Sequence, residues 1–230
     1  MKRSKRYLEN FNKIDLDKQY NLDEALDIIG SDSKVKFDQT IDLSINLGVD
    51  PRHSDQVIRG TVSLPHGTGK NVKVLVIAKG DKVNEAMAAG ADYAGDKEYL
   101  DKIKSGWTDI DIIISTPDMM AEVGKLGKIL GPRKLMPNPK SGTVTSDVKN
   151  AVLEVKKGKI EFRGDKSGII HTIIGKSSFE KSKLIENCQT IVGAILKVRP
   201  SSLKGTYLKK ITLSSTMGPG IKLDKNIFSN

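Results

Sequence analysis

Only one cysteine, Cys188, occurs in the 230 residues. No disulfide can form within the chain, and the single thiol fits a reducing compartment such as the cytosol. The three histidines, His53, His66 and His171, stand far apart without cysteine partners at ligand spacing, so no zinc site is expected. No apolar run approaches membrane-spanning length. The opening segment, MKRSKRYLENFNKID, is basic but has no apolar stretch behind it, so no signal peptide is expected. A phosphate loop is missing too. HGTGKN (His66 to Asn71) has Leu64 where the first glycine of that motif belongs and Asn71 where a magnesium-binding hydroxyl belongs, and a strand rather than a helix follows. GKLGKILG (Gly124 to Gly131) lacks the strand-to-helix setting of a dinucleotide site. No nucleophile-elbow pattern is present, although a dispersed Ser-His-Asp or Cys-His set stays open at this stage. Neither a cofactor nor a small-molecule substrate is expected.

What the chain has is positive charge, unevenly placed. The net charge is +10 and the pI about 9.5, a balance that favours a polyanionic partner. Residues 1–80 carry 13 basic and 11 acidic side chains, residues 81–118 carry 4 and 9, and residues 119–230 carry 21 and 8. Segregation of this kind argues against lysines that serve solubility alone. The acidic middle could supply carboxylates to an α/β enzyme, which is the rival reading from another class.

Patterning divides the chain in three. A short basic helix is predicted over 4–13, and a helix opens at Asn21 with Glu24 three residues on and Gly30 as its stop. Val35, Phe37, Ile41, Leu43, Ile45 and Leu47 are odd-numbered and apolar. Lys36, Asp38, Thr40, Asp42, Ser44 and Asn46 are even-numbered and polar, with Gln39 the only break. Period two predicts a long antiparallel strand with one wet face. Another strand is predicted over 56–64. From Val72 to Gly80 the pattern becomes a near-continuous apolar run, as in a buried parallel strand. Helices over 81–90 and 96–104, a strand over 110–116 and a helix from Pro117 follow. Next come a Gly- and Pro-rich basic loop from Gly124 to Thr145 and a helix over 147–156. After Gly158, KIEFRG and GIIHTII read as a hairpin turning at Asp165 to Gly168. A helix over 178–199 has Leu184, Cys188, Ile191, Val192, Ile195 and Leu196 on one face. A last strand occupies 205–215, and STMGPGI reads as a turn.

The fold class is therefore α/β: an α+β outer domain with an antiparallel sheet (1–67 and 158–230), carrying an inserted Rossmann-like three-layer α/β domain (68–157). Glycines at the crossings, Gly67, Gly69 and Gly158, permit either relative motion or plain tight turns. Residue by residue the ordinary readings are structural. Lys36 and Thr40 are solvated on a wet face, Phe37 is core, Lys166 is exposed in a turn, and Thr216, Met217 and Gly218 belong to a turn.

Four segments taken together are more specific. KFDQTIDLSINLGVDPRHSDQVIRGTVSLPHGTGK (Lys36 to Lys70), GKLGKILGPRKLMPNPKSGTVT (Gly124 to Thr145), IEFRGDKSGIIH (Ile160 to His171) and STMGPGI (Ser215 to Ile221) resemble the "L one" family of bacterial large-subunit ribosomal proteins, in order and spacing and nearly end to end. GWTDIDIIISTPDMM (Gly106 to Met120) fits as well. The resemblance implies a non-enzymatic, cytoplasmic constituent of the large ribosomal subunit. It would bind 23S rRNA in the mobile stalk, contact deacylated tRNA at the exit site, and often repress its own operon mRNA. A repressor that never enters ribosomes would use the same surface. The rRNA-facing residues implied are Lys36, Phe37, Thr40, Asp165, Lys166, His171, Thr216, Met217 and Gly218. Lys125, Lys128, Arg133 and Lys140 are expected to form a secondary RNA surface. One departure is Lys134, where the family commonly has glycine.

Overall fold

The computed structural model describes residues 3–31, 35–203 and 205–228. In chain order the helices and strands are α1 (Lys5–Asn12), α2 (Leu22–Ser31), β1 (Thr40–Leu47), β2 (Arg59–Ser63), β3 (Val74–Ile77), α3 (Asp81–Ala88), β4 (Tyr93–Gly95), α4 (Lys97–Lys104), β5 (Ile112–Ser115), α5 (Met120–Gly124), α6 (Gly127–Leu130), α7 (Val148–Lys156), β6 (Lys159–Arg163), β7 (Ile169–Lys176), α8 (Lys181–Lys197), β8 (Leu208–Ser215) and β9 (Ile221–Leu223). They fall into two compact units: Met1–Gly69 with Ile160–Asn230, and Lys70–Lys159. The architecture is mixed α/β, antiparallel in the first unit and parallel in the second.

In the first unit a four-stranded sheet has the order β7-β1-β8-β9, and all its pairs are antiparallel. Alternation in β1 works as period two requires: Ile41, Leu43, Ile45 and Leu47 are buried, while Thr40, Asp42, Ser44 and Asn46 are half-buried on the other face. The buried face joins Ile170 and Ile174 of β7 and Ile211 and Leu213 of β8. Helix α8 seals the same core with Leu184, Cys188, Ile191, Val192 and Ile195. Truncating one of these fully buried aliphatic side chains to alanine costs about 2–5 kcal/mol. Burial pushes the Cys188 thiol up to about 12, so it remains a neutral packing group.

Three expectations are corrected here. The strand is shorter than its alternation, since β1 opens at Thr40 and the chain bends at Lys36 and Phe37. Phe37 is 52% exposed and not core. The expected hairpin is also not a ladder. β6 pairs with β2 in a separate two-stranded sheet, while β7 pairs with β1. Between β6 and β7 there remains a single bridge, Gly164 to Ile170, closed by the turn from Asp165 to Gly168. STMGPGI likewise does more than turn, because its last residue opens the edge strand β9.

The second unit has a three-stranded parallel sheet in the order β4-β3-β5. Strand β4 is too short to show a pattern in sequence. The continuous apolar run in β3 is explained by two cores, one on each face. Leu75, Ile77 and Ile113 pack with Leu100, Ile103, Met119, Val123, Leu126 and Leu130. Val74, Val76 and Ile114 pack with Ala86, Val148, Ala151, Val152 and Val155. The segment from Gly124 to Thr145 is anchored by buried Leu126, Leu130 and Leu135 and holds α6, so it is not an open loop.

Helix α6 ends in a left-handed stop. The Leu135 N–H donates to the Leu130 carbonyl and the Lys134 N–H to the Gly131 carbonyl, each at 3.0 Å, with Leu130 and Leu135 buried in one cluster. This is the Schellman arrangement, whose left-handed position favours glycine. Lys134 occupies it with φ 59° and is the only non-glycine residue of positive φ among those described. A side chain there costs about 1 kcal/mol. Lys134→Gly should therefore raise stability by about 1 kcal/mol, read as a higher urea midpoint at unchanged slope. A lower midpoint would contradict the strain.

Candidate nucleic-acid interface

The register of β1 places the sequence-predicted residues. Ile41 faces Ser215 of β8, and Thr40 faces Lys176 of β7. Just beyond this end of the sheet, the Thr40 N–H donates to Thr216 Oγ1 at 3.0 Å, and the Thr216 N–H donates to the Thr40 carbonyl at 3.0 Å. Thr216 Oγ1 lies 3.1 Å from that carbonyl and can donate its proton there. Residues 176 apart in sequence are thus closed into one ring. The Met217 N–H donates to Gln39 Oε1 at 3.1 Å, and the Gly218 N–H to the Ser215 carbonyl at 3.1 Å. Thr40, Thr216, Met217 and Gly218 therefore meet at one end of the sheet, and Lys36 and Phe37 lie in the bend a few residues ahead of Thr40. Phe37 and Met217 are 52% and 48% exposed there.

Asp165 and Lys166 do not join them. Their turn sits at the other end of β1, where the Leu47 N–H donates to the Gly168 carbonyl at 3.0 Å. At ~3.3 Å per residue the two ends are about 20 Å apart. Asp165 is a turn-former. Its Oδ1 accepts from the N–H groups of Ser167 and Ile169 at 2.8 Å each, and the Ile169 bond is the leading cause that holds its carboxyl below the usual value. The turn displays Lys166, which is exposed.

His171 lies between the two ends. It faces Ser44 across the strands, with Nδ1 3.1 Å from Ser44 Oγ. Its Nε2 is 3.7 Å from Asp165 Oδ2, beyond hydrogen-bond length. Serine, histidine and aspartate thus line up, but the acid does not hold the imidazole as a catalytic triad's does.

Sequence reading missed the rest of this face. In β8, Thr212 lies opposite Ser44, Ser214 opposite Asp42 and Lys210 opposite Asn46, and Lys222 of β9 follows beside Thr212. Alternation of Thr212 and Ser214 with Ile211 and Leu213 was the available signal. Partial burial raises the Asp42 carboxyl, and His171 and Lys176 oppose that rise. Asp38, expected only as a solvated residue, accepts from the hydroxyls of Ser177 and Ser178 at 2.9 and 2.7 Å and from the Ser178 N–H at 3.1 Å. The Ser178 hydroxyl is the leading cause of its lowered value.

In the second unit Lys125, Lys128, Arg133 and Lys140 are all exposed. None of them forms an ion pair among the described residues. The acidic stretch of that unit is spent differently: Asp92, Glu98, Asp101, Asp109 and Asp111 pair with Lys156, Lys102, Lys104, Lys73 and Lys70. No group of three metal-ligating side chains occurs among the described residues.

Residues 29–219 match the model of the ribosomal protein L1p/L10e family. The chain belongs to this ribosomal protein family. A relative in Protochlamydia amoebophila (strain UWE25), named large ribosomal subunit protein uL1, is 57% identical over 221 residues, covering 96% of this chain and 94% of the relative. The family match spans Lys36 to Gly218, so every residue placed at the Thr40 and Thr216 end lies inside it.

Within this family member the Thr216 hydroxyl has an internal partner. Thr216→Val removes the acceptor of the Thr40 N–H, which should cost about 1–2 kcal/mol and speed amide exchange at Thr40. Thr216→Ser should leave both near the parent values. Unchanged Thr40 exchange in the valine variant would contradict the ring.

Proposed function

We propose that this chain is a constituent of the large ribosomal subunit that binds 23S rRNA through its antiparallel unit and forms the mobile stalk there. In the same reading it assists release of deacylated tRNA from the exit site and represses translation of its own operon mRNA. It works in the cytoplasm and without catalysis. The observation that carries the proposal is the closed end of the sheet, where Thr40 and Thr216 are hydrogen-bonded, the exposed Met217 follows Thr216 and the exposed Phe37 precedes Thr40 by three residues.

Each part has a physical role. Phe37 offers a face for an unstacked base, and Met217 a flexible apolar contact for a base or ribose. With its proton directed to the Thr40 carbonyl, Thr216 keeps only acceptor capacity, which suits a ribose 2′-OH as donor. Lys36 at one end and Lys166 at the other neutralise phosphates and supply salt-dependent affinity. The strip of about 20 Å between them crosses several nucleotides of an RNA helix, with Ser44, His171 and Thr212 along it. Lys125, Lys128, Arg133 and Lys140 form a secondary basic surface, and four exposed cations that form no ion pair among the described residues favour backbone over base contact.

Sedimentation with large subunits stripped of their own copy tests the proposal. The chain should co-sediment stoichiometrically, and a Phe37→Ala, Met217→Ala double variant should bind at least tenfold more weakly while remaining folded. Lys166→Gln should lower the salt slope of binding by about one unit. Failure to co-sediment, with retained binding to the operon mRNA, would favour a dedicated repressor. Wild-type affinity in the folded double variant would overturn the interface.

A further inference from the structure

Gln39 is the one residue that breaks the alternation leading into β1, and it is 6% exposed. Its parity puts it on the apolar face, beside Ile41, where a leucine or valine would continue the pattern. A buried amide is tolerated only when it is hydrogen-bonded. Gln39 ties three separate segments. Its side-chain Oε1 accepts from the Met217 N–H at 3.1 Å. Its backbone N–H donates to Ser177 Oγ at 3.2 Å, and its carbonyl accepts from the Ser177 N–H at 2.8 Å. Its neighbours reinforce the junction: Asp38 binds Ser177 and Ser178, and Lys176 Nζ donates to Thr40 Oγ1 at 2.9 Å.

We propose that Gln39 is a positioning residue for RNA recognition: from beneath the surface it fixes the backbone of Met217, and so the orientation of the Met217 side chain relative to Phe37. The inference rests on the RNA-binding reading above and deepens it. Two facts separate this role from ordinary core packing. The bond from Gln39 ends on a residue that is itself 48% exposed, so it holds a surface residue rather than a core one. Among the described residues, no other side chain accepts from the Met217 N–H. Loss of this bond would free the turn between β8 and β9 at the position where the exposed thioether begins. An ordered contact residue binds without first losing its own freedom, which is the gain that preorganisation supplies.

The test uses the full chain and purified 23S rRNA in a double-mutant cycle. Gln39→Met keeps the length and apolar stem but lacks an acceptor. It should weaken binding roughly five- to tenfold with an unchanged salt slope, because no phosphate contact is touched. In a Met217→Ala background the same change should have less than a twofold effect. Gln39→Glu, which retains an acceptor oxygen, should bind within about threefold of the parent. Wild-type affinity for Gln39→Met, or an equal loss in both backgrounds, overturns the positioning role. If Met217→Ala alone binds like the parent, the interface reading itself has failed. Amide exchange on the unmutated chain provides a check that needs no variant. The Met217 amide should exchange far more slowly than that of Thr206, which is exposed and outside any helix, strand or turn, and free exchange at Met217 would also overturn the proposal.

Discussion

The pairing of β1 with strands from the far side of the chain is the constraint on which the rest depends. β1 is hydrogen-bonded on both edges, to β7 and to β8, and both partners lie more than a hundred residues downstream. One register satisfies the burial of Ile41, Leu43, Ile45 and Leu47. A slip by one residue would turn that set to solvent and carry Asp42, Ser44 and Asn46 into the core. The same register sets Thr40 beside Thr216 and Ser44 beside His171. The candidate interface is therefore a by-product of core packing: its residues meet because the strand's other face has to be buried in one way.

Much of this was legible in the sequence, and the exceptions have physical causes. Odd-even patterning locates the buried face of β1, and a helical stripe locates that of α8, since both report burial directly. Phe37 misled because alternation shows only which side a residue would take if the strand continued, and the chain bends at Lys36 and Phe37. The hairpin misled because a turn signal at Asp165 to Gly168 reveals that the chain reverses but not which partner each arm chooses. β6 leaves for β2 after one bridge. Gln39 was visible as a break, yet its partner is 178 residues away, and no local rule reaches that far. Lys134 was visible as a departure from glycine, and the left-handed stop of α6 gives that departure its physical content.

Charge density and specificity point to different places. Lys125, Lys128, Arg133 and Lys140 of the second unit are exposed and form no ion pair among the described residues, which makes a surface suited to phosphate at any sequence. The Thr40 and Thr216 end has fewer charges but combines a ring, a thioether, hydroxyls and fixed backbone groups. Such groups can discriminate one RNA shape from another. Asp165 illustrates the division of labour. A carboxylate would repel phosphate, yet it accepts two backbone N–H groups and so holds the turn that presents Lys166.

Hydrogen exchange of the full chain, free and bound to purified 23S rRNA, tests the central claim most directly. Binding should slow exchange at residues 36–40, at 165–171 and at 216–218 together, with smaller changes over 125–140. Protection confined to 125–140, with the three segments of the antiparallel unit unchanged, would contradict the account.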